Sequence, residues 1–546
     1  MRKNILAVSI AAMIGGLGFA GAASAAAVID NTGAAPVDAA GTVLAAATAL
    51  AVSPAGTGHI LTVPYFSTQN GNVSLLNITN TDLLNGKAVK LRYRGAANSD
   101  DIFDITIFLS PGDIWSANVS QKDGVSYLET ADNSCTLPSA VNAPFSTNRV
   151  SGATQDAKNA QTLEGYVEIL NMADVPPTLV TAATGLTGAV VNPLFTTIKH
   201  VGGVAPCGST AAGAAELDKQ INNLDTFAAA TANSFHTRGY NFPTGGLMAN
   251  WSIINLAKAG SFTGEATAVS AESAVGIAGA ANIVFSPQTD ASVAATDVNK
   301  FTADPLLRQN AALAPIVQAA NYDFPDLSTP YTGAGHPIDQ ANDLSTALAV
   351  QSVFNEYLTN PAVSFGTDWV FSMPTRRYGV ALNYTTGTAV FNAASATVGD
   401  TDLVTPPAGG FASLFFDATN STVNSTKDLI CVKPGSTGLQ YFDHSEQSTK
   451  NGFVISPGSV ATLEFCGETS VLAFNNTGDS VLGSKIARKD IRTQKSGSTA
   501  IYTDGWLKVG TPGLASAGLP VAGHAYVKAL SSSANLGGTW RHRYSN

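Results

Sequence analysis

The 546-residue sequence is poor in charge. Asp, Glu, Lys and Arg make up 12% of it, against roughly 25% in average soluble proteins. Positive charge is sparse and outweighed by negative charge, with 29 Lys and Arg against 39 Asp and Glu. This argues against nucleic acid as a partner, because phosphate recognition needs clustered positive charge. The many aliphatic residues also argue against a solvated disordered chain. The formal net charge is −10. A surface with so few charges lets many copies lie side by side with little repulsion.

The sequence also lacks recognisable catalytic motifs. It has no G-x-S-x-G elbow, H-E-x-x-H helix, phosphate-binding loop or EF-hand. Its seven histidines are scattered, with no pair at i, i+4 spacing. The tripeptide Asp443-His444-Ser445 contains the residue types of a catalytic triad, but neighbouring side chains point in different directions. We therefore expect no enzyme and assign no catalytic residue. A hydrolase site assembled from distant residues is the alternative.

Cysteine is scarce. The four cysteines are Cys135, Cys207, Cys431 and Cys466. No two of them have the close spacing that zinc knuckles require. An even number in an exported chain predicts two disulfides, and three pairings can form. We favour Cys135–Cys207 with Cys431–Cys466, because each bridge then stays within one half of the chain.

The N-terminus has the pattern of a cleavable signal peptide. Arg2 and Lys3 precede an apolar stretch from Ile5 to Phe19, and Ala23-Ser24-Ala25 supplies the small residues of a cleavage site. The apolar stretch is about 15 residues long, shorter than the ~20 of a membrane span. We predict a signal peptide over residues 1–25 and an extracellular or cell-surface location. We expect no membrane-spanning segment in the mature chain.

The rest of the chain predicts a mainly β fold, built from antiparallel Ig-like β-sandwich modules with a mixed, partly helical middle region. Residues 26–57 form an Ala-rich lead-in or linker. Short runs rich in Val, Ile, Thr and aromatics then alternate with turn residues, which predicts an N-terminal β-sandwich over 58–200. Residues 201–360 form the mixed α/β middle region, and β texture returns in a C-terminal domain over 361–546.

The alternation of charged and apolar residues expected of a strand is clearest near residue 90. Val89, Leu91 and Tyr93 share one face of the predicted strand, and the other face carries Lys90, Arg92 and Arg94.

Three features of the middle and C-terminal regions allow sharper predictions. Apolar residues at helical spacing predict helices over Ala214–Phe227 and Leu344–Leu358. Pro374, inside a predicted strand, should mark a bulge or an edge position.

Two polar segments are candidate binding sites. Asp100, Asp101 and Asp104 offer oxygen ligands for calcium, although the segment lacks the spacing of a dedicated calcium loop and an ordinary solvated turn is the favoured alternative. Calcium is the one cofactor that we consider. The basic run Lys485–Arg492 could contact acidic glycan or lipid phosphate, with a solvated loop as the simpler interpretation. The five tryptophans are too far apart in sequence to predict a carbohydrate-stacking platform, so core packing is the default.

Several segments resemble exported cell-surface proteins of proteobacteria. They are VPYFSTQNGNVSLLNITNTDLLNGKAVKLRYRGAANSDDIFDITIFLSPGDIWSANVS (63–120), EGYVEILNMAD (164–174), PTGGLMANWSIIN (243–255), TDWVFSMPTRRY (367–378) and LPVAGHAYVKA (519–529). Within that group the chain is similar to surface-layer (S-layer) proteins of the Comamonas and Acidovorax type, including those that sheathe membrane vesicles in nanopods. The resemblance implies location and assembly, and it supplies no catalytic residue.

The leading hypothesis is therefore a secreted, self-assembling subunit of a surface layer or extracellular sheath. Its partners would be copies of itself, with lipopolysaccharide or another cell-surface glycan as a further partner. The alternative is a monomeric surface adhesin or carbohydrate-binding module.

Overall fold

The computed structural model describes most of the chain, namely residues 28–29, 45, 47–147, 150–181, 185–224, 236–257, 260–279, 281, 283–284, 337–361, 365–384, 386–391, 413–433, 439–443, 463–474, 480–491, 493, 502–514, 517–530 and 535–545. The predicted signal peptide over 1–25 lies outside these residues. Within the described residues, no helix has the length and apolar character needed to cross a membrane.

Strands dominate the part of the chain that the structure describes, and the strand counts below refer to that part. Eighteen lie between residues 28 and 284: β1 Val28–Ile29, β2 Ala49–Val52, β3 Ile60–Ser67, β4 Val73–Asn80, β5 Gly86–Gly95, β6 Asp101–Leu109, β7 Ile114–Lys122, β8 Val125–Glu129, β9 Cys135–Leu137, β10 Ala143–Pro144, β11 Glu164–Val175, β12 Thr178–Thr181, β13 Gly185–Val191, β14 Leu247–Asn255, β15 Gly260–Glu265, β16 Thr267–Ala274, β17 Ile277–Ala278 and β18 Ile283–Val284.

Sixteen more strands follow in the C-terminal half: β19 Ala349–Val350, β20 Ser352–Leu358, β21 Phe365–Ser372, β22 Val380–Asn383, β23 Thr388–Phe391, β24 Ser421–Asn424, β25 Leu429–Val432, β26 Leu439–Phe442, β27 Phe465–Cys466, β28 Thr469–Phe474, β29 Arg488–Ile491, β30 Asp504–Gly510, β31 Leu519–Pro520, β32 His524–Leu530, β33 Asn535–Arg541 and β34 Arg543–Ser545.

The described α-helices are short: α1 Gln155–Gln161, α2 Pro193–Ile198, α3 Pro206–Ser209, α4 Ala211–Leu224, α5 Pro337–Leu348 and α6 Arg376–Gly379. The helix predicted over Ala214–Phe227 is present as α4, and the residues after 224 in that prediction lie outside the described chain.

Two antiparallel sheets form a sandwich in the N-terminal half. Six strands have the order β10-β8-β7-β4-β14-β15, and a second sheet has the order β17-β16-β3-β11-β5-β6-β9, with β2 paired to β16. Burial alternates along β4, and its inner residues Leu76 and Ile78 belong to the core between the sheets. Asn70 and Gly71 connect β3 to β4 with φ values of 55° and 80°, a conformation that these two residue types adopt readily. The expected mainly β, antiparallel, sandwich-type fold is confirmed.

The sheets extend across the boundaries of the regions predicted from the sequence at 58–200, 201–360 and 361–546. Strands β14 to β16, from the expected middle region over 201–360, complete both sheets of the sandwich expected to end at residue 200. Strand β2, in the expected lead-in over 26–57, pairs with β16. Strand β20, also assigned to the middle region, belongs to a C-terminal sheet. The sheet to which each strand belongs is decided by pairing between strands that are distant in sequence. Local composition contains no information about that pairing.

The helix predicted over Leu344–Leu358 is wrong in its second half. Helix α5 ends at Leu348, and the following residues form β19 and β20. Val353 and Tyr357 lie four residues apart, a spacing that fits one helix face and one strand face equally well. Strand β20 forms because β30 and β34 pair with it on either side.

Four further sheets make up most of the C-terminal half. Their strand orders are β26-β30-β20-β34, β29-β28-β21-β32-β33, β24-β25-β27 and β22-β23. Pro374 lies neither in a bulge nor on an edge: strand β21 ends at Ser372 and the chain turns through α6 into β22. Proline lacks the N–H that would continue the strand ladder, so the segment TDWVFSMPTRRY is a strand followed by a helical turn.

Both predicted disulfides are confirmed. Cys135 in β9 is bonded to Cys207 in α3, and Cys431 to Cys466 across the paired strands β25 and β27. Two disulfides indicate an oxidising compartment. The two halves also share one core, because Val370, Val471, Leu482 and Tyr526 pack in the same cluster as the sandwich residues.

Candidate functional site

The outer face of the eight-stranded sheet carries a cluster of buried charges. Lys90, Arg92 and Arg94 of β5 project from this face, and each is 0% exposed. Arg92 lies between two acids on the neighbouring strands: Glu168 of β11 is its partner in register on one side, and Asp104 of β6 is its partner on the other. The face therefore presents acids beside bases on neighbouring strands, which is the favourable arrangement for cross-strand pairs.

Glu168 is the acidic centre of this face. Its Oε2 accepts a hydrogen bond from Arg94 Nε at 3.0 Å, and Arg377 Nη2 lies 4.0 Å away. Burial by itself would raise the pKa of Glu168, but the attraction of Arg94, Arg377 and Arg92 outweighs it and the pKa is lowered. Glu168 is therefore an ionised carboxylate held by bases from two regions of the chain.

The C-terminal half reaches this face through α6. Arg376 Nε donates to Glu468 Oε2 at 2.6 Å, and the backbone N–H of Arg377 donates to Glu468 Oε1 at 3.3 Å. The backbone N–H of Glu468 in turn donates to the carbonyl of Ala97 at 3.1 Å. Burial raises the pKa of Glu468, and the two arginines oppose that shift. This arrangement joins the turn after β5 to the loop between β27 and β28.

Two more buried carboxylates hold the loop over 480–486. Glu164 of β11 accepts hydrogen bonds from Tyr65 Oη at 2.6 Å and from the backbone N–H groups of Lys485 and Ile486 at 2.8 and 2.6 Å. Asp368 of β21 accepts from the backbone N–H of Leu482 at 2.9 Å and from Ser480 Oγ. Burial raises the pKa of Asp368 to about 6. These bonds fix the loop against both halves.

Within the basic run Lys485–Arg492, the described residues 485–491 are thus not a solvated loop, and Arg492 lies outside the described residues. The run begins on Glu164, and its residues Arg488–Ile491 form β29, paired in parallel with β28. Arg488 pairs with Asp490. A contact with acidic glycan or lipid phosphate at this run stays a prediction.

The three residues predicted to bind calcium lie beside the charge cluster. Asp100 and Asp101 are buried, and Asp104 Oδ2 lies 2.5 Å from Lys90 Nζ. Asp100 accepts a hydrogen bond from Tyr384, so the segment is covered by the C-terminal half and is not a solvated turn.

In the part of the chain that the structure describes, the one group of three candidate metal ligands within 4.8 Å of one another is Cys431, Glu464 and Cys466. The two cysteines form a disulfide, so they are not thiolate ligands. The calcium site at Asp100, Asp101 and Asp104 stays a prediction.

Four of the described histidines are buried, namely His59, His236, His524 and His542. Burial lowers the pKa of His59 and His524 to about 4 and that of His542 to about 3. His542 contacts the Val370 carbonyl at 3.0 Å and Asn355 Nδ2 at 2.9 Å. His59 and His542 each contact a backbone carbonyl within hydrogen-bond distance, which fits a structural role for these buried rings. The tripeptide Asp443-His444-Ser445 lies mainly outside the described residues.

Four of the tryptophans have the expected core role. Trp115, Trp251 and Trp369 are buried, and the half-buried Trp540 packs against the C-terminal core. Trp506 differs from them, because it is 41% exposed and lies on the outer face of β30.

The charge cluster joins the two halves of the protein. Its carboxylates and bases pair with one another. The described cavity inside the sandwich core, of about 10 Å³, is no larger than a water molecule. Sequence reasoning missed Glu164, Glu168, Arg376, Arg377 and Glu468. The available signal was charge inside otherwise apolar runs, as in EGYVEIL and PTRRY. The structure brings together three segments that carried the resemblance, at 63–120, 164–174 and 367–378.

No protein-family model, curated protein or solved structure matches this chain.

Proposed function

We propose that this is an exported structural protein of the cell surface, whose copies associate into a surface layer or an extracellular sheath. The observation that carries the proposal is a group of large, exposed apolar side chains at one end of the sandwich. We call this group the apolar end. It consists of Leu83, Leu84, Ile114, Val201 and Val204, which are 79%, 51%, 50%, 72% and 38% exposed.

Three loops bring the apolar end together. The N–H of Gly112, in the loop before β7, donates to the carbonyl of Asp82, in the loop before β5, at 3.0 Å. His200 Nδ1, in the loop after α2, lies 3.4 Å from Asp113 Oδ2. Single exposed apolar residues are ordinary, but a group of them on adjoining loops is typical of a protein-contact surface.

A second copy of the chain is the occupant that fits this surface best. The acids beside the apolar end already have partners within the chain, since Asp82 lies 3.6 Å from Lys87 and Asp113 accepts hydrogen bonds from the Ser110 N–H at 3.1 Å and from Ser134 Oγ at 3.4 Å. The apolar end therefore has no strong electrostatic preference for a positively or negatively charged partner. The low overall charge reduces repulsion between copies in the same way.

The rest of the fold is consistent with a rigid subunit of an assembly. Each disulfide braces one half of the chain, and the buried charge cluster joins the two halves through Arg377 and Glu168. A preorganised subunit loses less conformational entropy when it associates. A contact between different surfaces of two copies that does not close into a ring propagates into a sheet or tube.

Sedimentation velocity over a range of protein concentrations tests the proposal. We expect the wild type to form species larger than a monomer, and the double variant Leu84→Lys/Ile114→Lys to remain monomeric. The matched control is Leu256→Lys. Leu256 is 83% exposed and follows β14 at the opposite end of the sandwich, so this variant should associate like the wild type. A wild type that is monomeric at every concentration contradicts the proposal, as does a double variant that associates normally.

A further inference from the structure

The outer face of the sheet β26-β30-β20-β34 has an unusual composition. Along β30, Leu507 and Val509 point into the C-terminal core, while Trp506 and Lys508 point to the other side. On the neighbouring strand, Phe354 lies opposite Lys508 and shares that outer face. The face is therefore partly aromatic although it borders solvent.

The aromatic rings on this face are arranged side by side. Phe442 of β26 lies opposite Trp506 in register, and their rings are stacked with centroids 4.3 Å apart and an interplanar angle of 14°. Lys508 Nζ lies 5.5 Å from the centre of the Phe354 ring. These contacts restrict the rings before any partner arrives, which lowers the entropic cost of binding.

Polar side chains surround the rings. Glu356 lies opposite Trp506 on the side away from Phe442, and Gln440 lies opposite Lys508. Arg543 of β34 lies opposite Phe354, and Asp504 is two residues before Trp506 on the same face. The face thus combines two acids, two bases and an amide with three aromatic rings.

We propose that this face binds a neutral oligosaccharide, with Trp506 as the stacking residue. A pyranose ring presents apolar C–H groups on its faces and hydroxyl groups around its rim. It therefore complements an aromatic ring that is flanked by hydrogen-bonding side chains. Glu356 and Gln440 are placed to accept from or donate to those hydroxyls.

Two observations favour a neutral glycan over other partners. The two acids and two bases on the face balance, so there is no net field to attract an acidic polysaccharide. The aromatic group spans only three adjacent strands, about 10 Å across at the usual strand spacing. A stable protein interface needs about 800 Å² on each partner, which is a much larger patch.

This site would attach the assembled protein to a surface glycan, and so its biological setting rests on the proposed function. Binding itself can be measured without assembly. The test therefore uses the Leu84→Lys/Ile114→Lys variant as the background, since that variant is expected to be monomeric. Loss of glycan binding and loss of association are then separate results.

Affinity electrophoresis on native gels containing dextran, mannan, laminarin or hydroxyethylcellulose provides the assay, with alginate as the acidic probe. We expect retardation by at least one neutral polysaccharide. Adding Trp506→Ala should weaken the affinity by about tenfold, the factor expected for loss of one stacking contact. Trp506→Phe should retain part of the affinity. Leu256→Ala, which removes an even more exposed apolar side chain elsewhere, should change nothing.

Far-UV circular dichroism and thermal melts of each variant verify that the fold is intact. The inference is overturned by any one of three results: no retardation by any neutral probe, retardation by alginate alone, or unchanged binding by a folded Trp506→Ala variant. Dimerisation that depends on Trp506 would also overturn it, in favour of a protein contact.

Discussion

The two faces of the eight-stranded sheet are equally buried but are held in different ways. Along β5, Val89, Leu91 and Tyr93 face the six-stranded sheet and pack in the sandwich core. Lys90 and Arg94, on the other face, are just as inaccessible but lie against carboxylates. The first face gains stability from apolar area removed from water, which depends little on exact partners. The second depends on matched pairs, because an unpaired buried charge is costly.

The two faces are therefore expected to serve different purposes, one the stability of the sandwich and the other the choice of the segment that packs on it. The apolar face makes the sandwich stable, whereas the charged face selects which segment can cover it. In this protein α6 covers the outer face with a base opposite an acid, because Arg377 lies 4.0 Å from Glu168. We therefore expect substitutions on the charged face to separate the two halves of the protein, and substitutions on the apolar face to destabilise the sandwich.

The largest effect is expected from Glu468→Ala. It leaves the buried Arg376 side chain without its carboxylate and removes the acceptor of the Arg377 backbone N–H, which should lower the free energy of unfolding by about 3–5 kcal/mol. Urea unfolding followed by tryptophan fluorescence measures this. The control is Glu129→Ala, because Glu129 pairs with Lys122 on the surface and its loss should cost at most about 1 kcal/mol. Similar effects of the two substitutions would contradict the importance of the buried pair.

Leu91→Ala tests the apolar face in the same assay. Leu91 is fully buried in the sandwich core, and its truncation should cost about 2–5 kcal/mol through lost burial and a cavity. Leu91→Met keeps most of the volume and should cost less than about 1.5 kcal/mol. If the two variants were equally unstable, packing volume would not be what holds this face.

The disulfides allow a comparison between the two halves. Replacing both cysteines of either bridge by serine should cost about 2–4 kcal/mol. The Cys135–Cys207 bridge spans 72 residues and the Cys431–Cys466 bridge 35, so removal of the first should cost about 0.6 kcal/mol more. Thermal unfolding of the two double variants measures the difference, and a reversed order would show that chain entropy does not dominate.

A pH-dependent effect is expected at Asp368. Burial raises the pKa of Asp368 to about 6 from its ordinary value of 3.8, so the folded state binds a proton more tightly than the unfolded state does. Its contribution to stability should therefore fall as pH rises from about 4 to about 6. Urea unfolding of Asp368→Asn should lack this part of the pH dependence. A variant whose stability follows the wild-type pH curve would assign the dependence to other groups.

The sequence predicted the fold class and the disulfide pairing, because strand alternation and the position of cysteines within each half are local signals. It did not predict the charge cluster. Glu168 and Arg376 are more than 200 residues apart, and only the folded sheet brings their surroundings together. The spacing of Val353 and Tyr357 fits both a helix and a strand, so only the pairing of β20 with its neighbours decides between them. The outward position of Trp506 could not be predicted from the sequence either, since its exposure depends on the register of β30 with its neighbouring strands.

Negative-stain electron microscopy of purified residues 26–546, dialysed with and without calcium, tests the proposed assembly most directly. We predict regular sheets or tubes for the wild type and dispersed particles for Leu84→Lys/Ile114→Lys. Arrays that form only with calcium would support the predicted ligands Asp100, Asp101 and Asp104. Dispersed monomers of the wild type under both conditions would contradict self-assembly as an intrinsic property of this chain.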